Sequence, residues 1–231
     1  MKNFQNFLKT RTRKLFKPKS IVVDGARVTT DLRYVSKGIR NGLYKEIYER
    51  EERLLIQNAV SKNDRILEAG AGIGIVSLLC AKICGPSNIL SYEPNVTVEE
   101  IVTKNFKLNG MQPKIEFKAL AQKKGRVDLF LAENIFSSSV FDRSIGVKTS
   151  VEADAILDVQ KTFAPNVIIM DVEGAETNLL PACDLSDIDK IVVELHPHIV
   201  GENENNKLLQ HLIENNFQKK IELGDCVYLE K

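Results

Sequence analysis

The stretch that decides the fold is Arg65-Ile-Leu-Glu-Ala-Gly-Ala-Gly-Ile-Gly74, followed by Ile75-Val-Ser-Leu-Leu-Cys80. A short apolar run ends in three glycines at alternate positions, and a longer apolar run of helical length follows. Glycine lets the backbone turn sharply and approach a ligand closely. A strand, a glycine turn and a helix in that order open a nucleotide-binding α/β unit.

The spacing weighs two ligands against each other. A dinucleotide turn wants G-x-G-x-x-G. Counted from Gly70, the sixth position is Ile75. Counted from Gly72 it is Ser77 with Gly74 in the middle, so a degenerate match survives. The G-x-G-x-G spacing behind Glu68 fits an S-adenosylmethionine turn better. That ligand has no phosphate for the helix N-terminus to cradle, and Glu68 at the strand end favours its cationic methionyl amine, directly or through water. The second strand ends in Tyr92-Glu93-Pro94-Asn95, where Glu93 can accept both ribose hydroxyls, a logic NAD shares. The third ends at Lys118-Ala119-Leu120, and the backbone at Ala119 suits the adenine edge.

Outward from this turn, strand and helix alternate. Strands are expected at 65–69, 88–92, 114–120, 166–172 and 190–195, and helices at 73–83, 96–108, 175–183 and 203–216. A further helix is expected over 46–60, with Ile47, Leu54, Leu55 and Ala59 on its apolar side and Glu49, Arg50, Glu52 and Arg53 facing solvent. Residues 20–28 read as one or two strands turning at Asp24-Gly25, 127–132 as an extra strand, 137–149 as a loop and 151–157 as an edge strand. Residues 217–223 and 226–230 form a hairpin across Gly224-Asp225. The unbroken apolar runs Asn166-Val-Ile-Ile-Met170 and Lys190-Ile-Val-Val193 suit a parallel sheet covered on both faces. The expected fold is α/β, a doubly wound, mostly parallel sheet with a C-terminal antiparallel hairpin and an N-terminal helical cover.

A second acidic group falls at two later strand ends, Met170-Asp-Val-Glu-Gly-Ala-Glu176 and Glu194-Leu-His196-Pro-His198. Residues two apart on a strand share a side, so Asp171 with Glu173, and Glu194 with His196, are expected to meet above the sheet. Close carboxylates raise one another's pKa, and a nearby imidazole then serves as a base. Two chemistries stay open: proton abstraction from an attacking hydroxyl, or a divalent metal held by the carboxylates and His196 to orient vicinal oxygens. Glu173 and Glu176 also suit the first turn of the next helix, where negative charge is favoured. His198 and His211 read as surface residues.

The chain has 231 residues, 43% hydrophobic and 27% charged, with a net charge of +1. That balance argues against a protein dominated by nucleic-acid binding. The four cysteines, Cys80, Cys84, Cys183 and Cys226, lack metal-site spacing and read as reduced thiols. No run approaches the length needed to span a bilayer. Residues 1–19 carry seven Lys/Arg and no acid; without a long apolar run they do not read as a signal peptide. They divide off as a basic segment from a domain over 20–231. Phe4, Phe7, Leu8, Leu15 and Phe16 leave a weak membrane-surface or partner contact open for it. A cytoplasmic enzyme is the expectation.

Four stretches together resemble the FkbM family of S-adenosylmethionine-dependent methyltransferases: Tyr48-Glu49, Glu68–Gly74, Tyr92–Asn95 and especially Asp171-Val-Glu-Gly-Ala-Glu176. Ser137–Ser139 and Glu194-x-His196-Pro197 look similar less specifically, and Met170 stands where the family often has Lys. The resemblance covers about residues 20 to 200. It implies a Rossmann-like class I fold and methyl transfer to a hydroxyl of a sugar, glycan or other small natural product, with no nucleic-acid partner. On it, Tyr48, Glu68, Gly70, Gly72, Gly74, Glu93, Pro94, Asn95, Ala119 and Asp171 would bind the cofactor, and Asp171, Glu173, Glu194 and His196 would carry the chemistry. The alternatives are an NAD-dependent oxidoreductase, disfavoured by Ile75 and the lack of a Tyr-x-x-x-Lys pair, and a methyltransferase acting on nucleic acid or protein.

Overall fold

The computed structural model describes residues 2–131 and 147–231. The chain begins with α1 (Lys2–Phe16), β1 (Ser20–Val23), β2 (Ala26–Thr29), α2 (Lys37–Lys45) and α3 (Arg50–Ala59). It continues as β3 (Ile66–Ala69), α4 (Ile75–Cys84), β4 (Ile89–Tyr92), α5 (Glu99–Asn109), β5 (Lys114–Glu116), β6 (Ala119–Ala121), β7 (Gly125–Leu131) and β8 (Val147–Ala155). Then follow α6 (Ile156–Phe163), β9 (Val167–Met170), α7 (Glu176–Leu179), β10 (Lys190–Glu194), α8 (Pro197–Val200), α9 (Glu202–Glu214), β11 (Gln218–Leu223) and β12 (Cys226–Glu230).

The main sheet runs β11-β12-β10-β9-β3-β4-β5. Strands β10, β9, β3, β4 and β5 are parallel, and β12 closes antiparallel on β10 with β11 beyond it. From β3 the chain winds outward through β4 and β5, then restarts on the other side at β9. The switch point therefore lies between β3 and β9, where open parallel sheets bind ligands. Every residue of β3, β4 and β9 is buried, as the unbroken apolar runs required. The core lies on both faces of this sheet, one side packed by α3, α4 and α5, the other by α6, α7 and α9. This is the doubly wound α/β fold with a C-terminal hairpin expected from the sequence.

Several expectations need correction. The helix over 46–60 is broken: Glu46 (φ 60°) closes α2 and Glu49 (φ 47°), also left-handed, opens α3. The loop between them presents Tyr48 and Glu49. Ser36 caps α2 by accepting the Ile39 N–H at 3.3 Å. That helix was obscured in the sequence by Gly38 and Gly42. Glu52 and Arg53 do not face solvent; both are buried. Arg53 pairs with Asp24 at 2.8 Å and donates to the Glu46 carbonyl at 2.8 Å, pinning the break. Ile47, expected inside, is 56% exposed because it sits in the break. The strand over 114–120 divides: β5 stays in the main sheet, whereas β6 joins β8 and β7 in a separate three-stranded sheet. The edge strand at 151–157 extends back to Val147 and ends at Ala155, where α6 begins. Of the loop at 137–149, residues 137–146 lie outside the described residues and the remainder belongs to β8. No helix among the described residues is long and apolar enough to cross a membrane.

Candidate active site

The glycine turn lies at the carboxyl end of β3. The Gly70 and Ala71 N–H groups donate to the Tyr92 carbonyl at 2.9 and 3.2 Å, tying the turn to the end of β4. Gly70 has φ 90°, and a Cβ there would lie 1.7 Å from the Asp171 carbonyl oxygen. Only glycine fits, and the turn and the β9 end become one rigid unit. Gly72 (φ 51°) sits beneath Glu49 and Tyr48, whose Oε1 and hydroxyl would be 3.1 and 3.3 Å from an added Cβ. Gly74 serves packing instead, since a Cβ there would meet Phe106 at 2.8 Å. It lets α4 approach α5 and does not line the cavity.

Above this turn lies a cavity open to solvent. Gly70, Gly72, Glu93 and Pro94 form one wall, Ala119, Leu120 and Leu129 another. Tyr48, Glu49, Asp171 and Glu173 complete it. Tyr48, Gly70, Gly72, Glu93, Pro94, Ala119 and Asp171 thus stand together as expected.

Glu93 is held from both sides: its Oε2 accepts the Gly72 N–H and its Oε1 the Asn95 N–H, both at 2.8 Å. Each oxygen keeps a second lone pair for a ligand hydroxyl. Burial pushes the carboxyl up to about 7, against the pull of these two N–H groups. Asn95 is buried beneath the turn; its side chain accepts from the Thr97 N–H at 3.1 Å and does not line the cavity.

Glu68 is corrected. Its carboxylate lies under the sheet end and not in the cavity, accepting hydrogen bonds from Ser77 at 2.5 Å and from Ser91. Adjacent strand residues face opposite sides, so with Ala69 on the cavity wall Glu68 points away. Glu49 is the carboxylate that faces the cavity above the turn. Burial raises it to about 8, with the Tyr48 hydrogen bond pulling down and the Asp171 charge pushing up. Sequence reasoning missed it as a site residue, although Tyr48-Glu49 carried the signal.

Asp171 and Glu173 do share the cavity, but not by strand alternation. β9 ends at Met170, and Glu173 is left-handed at φ 53°. Burial, then the Glu194 charge, raises Asp171 to about 8. β10 ends at Glu194 beside β9, and His196 opens α8. His196 is buried behind Asp171, its Nε2 3.5 Å from Asp171 Oδ1 and 3.7 Å from Glu173 Oε2. Its Nδ1 and its backbone N–H both lie 3.1 Å from Glu176 Oε1. Glu176 Oε2 accepts the Gly174 N–H at 2.8 Å. Glu176 therefore does more than favour a helix end: it locks the Asp171–Gly174 loop to His196. Burial disfavours the imidazolium, but the Glu176 hydrogen bond and charge, with Asp171 and Glu173, raise His196 to about 9.

A glycine turn tied to a strand-end carboxylate at the switch point defines a nucleotide-cofactor α/β enzyme. Residues 43–124, about a third of the chain, match the model of the TRM5/TYW2 methyltransferase domain. A Methanocaldococcus jannaschii protein named provisionally as a protein N5-glutamine methyltransferase is 37% identical over 78 residues, 32% of this chain and 39% of its own length. The hexuronic acid methyltransferase AglP of Haloferax volcanii is 25% identical over 150 residues, 62% of this chain and 60% of its own. The chain thus spans less than two thirds of these curated relatives. A solved Methanocaldococcus jannaschii tRNA m1G37 methyltransferase is 16% identical with a TM-score of 0.45, covering 91% of this chain and 56% of that one.

The stretch that holds the glycine turn and Glu93, residues 43–124, is thus similar to a methyltransferase domain. An NAD oxidoreductase is set aside. The expected partners are corrected as well. Sequence relatives named for methyl transfer to protein glutamine and protein lysine overturn the restriction to small or glycan acceptors.

Proposed function

We propose that this chain is an S-adenosylmethionine-dependent methyltransferase that delivers the methyl group to a nitrogen presented by a macromolecule, on a protein side chain or a nucleic-acid base. The observation that carries the reading is the merger of two sites. The Gly70 turn touches the Asp171 carbonyl, so the cofactor and the acidic pair Asp171/Glu173 face one cavity. In this reading Gly70, Gly72 and Glu93 hold the donor, Glu93 through the ribose hydroxyls. Asp171 and Glu173 orient the acceptor nitrogen in line with the methyl–sulfur bond and take its proton as the N–C bond forms and adenosylhomocysteine leaves. Asp171, raised to about 8, matches an ammonium ionising near about 10 far better than a sugar hydroxyl. His196 and Glu194 act behind them.

The protein acceptor is favoured by this carboxyl-lined bay, which can hydrogen-bond an amine or amide side chain. A second reading, RNA, is favoured by α1. The seven basic residues of 1–19 have no acid among them in the sequence, and α1 packs on α2, with Arg13 donating to the Tyr44 carbonyl at 3.0 Å and paired with Glu46 at 2.8 Å. The division into a basic segment 1–19 and a methyltransferase domain 20–231 belongs to this proposal. The likeness of Asp171–Glu176 to the FkbM family supports the site and does not guide the acceptor.

The test offers isotope-labelled S-adenosylmethionine with protein extract, bulk RNA, and free sugars and oligosaccharides. Label in protein or RNA, mapped to nitrogen by mass spectrometry, is the expected result. Label confined to the sugars overturns the reading.

A further inference from the structure

We propose that Asp171, Glu194 and His196 form a divalent-metal site beside the methyl-donor cavity, suited to Mn²⁺ or Zn²⁺. Each offers one ligand atom, and the three atoms lie within 4.8 Å of one another. Carboxylates alone would mean little; the arrangement around His196 says more. Its Nδ1 is engaged 3.1 Å from Glu176 Oε1, and the Glu176 side chain is wholly buried. A carboxylate behind a histidine holds Nδ1–H and aims Nε2 outward, as behind most metal-bound histidines; an ion would displace the Nε2 proton that the surrounding carboxylates favour. Nε2 then points at Asp171 Oδ1 from 3.5 Å. That is too long for a charge-assisted hydrogen bond of about 2.8 Å. It is close to the roughly 3.4 Å that separates two ligands on one tetrahedral ion with bonds of about 2.1 Å.

A second observation comes from Asp171 itself. Its Oδ1 is buried and has no hydrogen-bond partner among the described residues. Among the described residues this oxygen meets only the His196 Nε2, at a long 3.5 Å, and a cation at the centre of the three groups would give it a closer partner. The donor set selects the ion. One imidazole nitrogen with two carboxylates is softer than the all-oxygen shell of Mg²⁺ or Ca²⁺ and lacks the sulfur that favours Cu⁺. Because Asp171 also lines the cofactor cavity, the ion would stand where the acceptor atom arrives. There it would bind that atom and ease loss of its proton to solvent or Glu173. That catalytic role rests on the methyl-transfer reading above; the existence of the site does not.

The full chain, stripped with chelator and re-equilibrated with Mn²⁺ or Zn²⁺, is passed through gel filtration and its metal measured by atomic emission. S-adenosylmethionine affinity is measured on the same samples by calorimetry. About one ion per chain is expected to remain on the wild type. His196→Gln and Asp171→Asn should each weaken metal binding at least about tenfold. Glu204→Gln, an exposed carboxylate on α9, should retain it. A cooperative thermal transition in His196→Gln shows that the variant is folded. Wild type that binds no more metal than His196→Gln, while still binding S-adenosylmethionine, overturns this inference alone. Wild type that fails to bind S-adenosylmethionine overturns the methyl-transfer reading instead.

Discussion

Replacing Glu68 by Gln should change how stability depends on pH while leaving the cofactor site intact. The Glu68 carboxyl is 1% exposed. Ser77 and Ser91 donate to Oε2, and Oε1 is buried with no partner among the described residues. Burial outweighs the two serine hydrogen bonds and raises the carboxyl from 4.5 to about 7. The unfolded chain releases this proton near 4.5, whereas the folded chain keeps it until about 7. Between those values the folded state binds more protons, so stability falls as pH rises through that window. The gap between 4.5 and about 7 corresponds to about 3 kcal/mol. Gln keeps a group of similar shape that accepts both hydroxyls but does not ionise. Urea unfolding followed by circular dichroism, below about pH 4.5 and above about pH 7, measures the change for each protein. The loss of stability on raising the pH should be smaller in Glu68→Gln by about 3 kcal/mol. The Glu68 charge also raises Glu49 and Glu93, so its removal lowers both and changes the difference in the same direction. An identical pH dependence would refute the reasoning. So would a tenfold loss of S-adenosylmethionine affinity, because that would put Glu68 back on the methionyl amine.

Glu93→Ala should weaken S-adenosylmethionine binding by about 1–3 kcal/mol, since it strands the Gly72 and Asn95 N–H groups and removes the ribose acceptor; calorimetry reads it, and unchanged affinity removes the ribose role. Gly70→Ala should destabilise the fold by several kcal/mol, because its Cβ would press on the Asp171 carbonyl at 1.7 Å and its φ is 90°. A melting temperature within a few degrees of wild type would show that the turn and the β9 end separate easily. Asp171→Asn should cut turnover by about 10²–10⁴-fold with the thermal transition preserved. Full activity would remove Asp171 from the chemistry.

Much of the fold could be read along the chain. The apolar runs of β3, β9 and β10 announce a parallel sheet because burial on both faces leaves no polar alternation. The three glycines mark the turn because few other residues adopt those backbone angles. Expectations failed where a local pattern competes with long-range contact. The 46–60 helix looked continuous, yet Arg53 binds Asp24 and the Glu46 carbonyl, and two left-handed glutamates break it. Residues 114–120 looked like one strand, but β6 pairs with β8, more than thirty residues later in the chain. The Asp171/Glu173 pair was found by strand alternation although neither residue lies in a strand.

By itself, then, the sequence determined the sheet class, the place of the cofactor turn and the set of residue types available for chemistry, because periodicity and glycine conformation are local properties. The tertiary structure decided which of those groups meet. It turned Glu68 under the sheet, brought Glu49 over Gly72, and put the buried Glu176 behind His196. Side-chain direction at a strand end and the protonation of a buried carboxylate depend on neighbours that are distant in the chain.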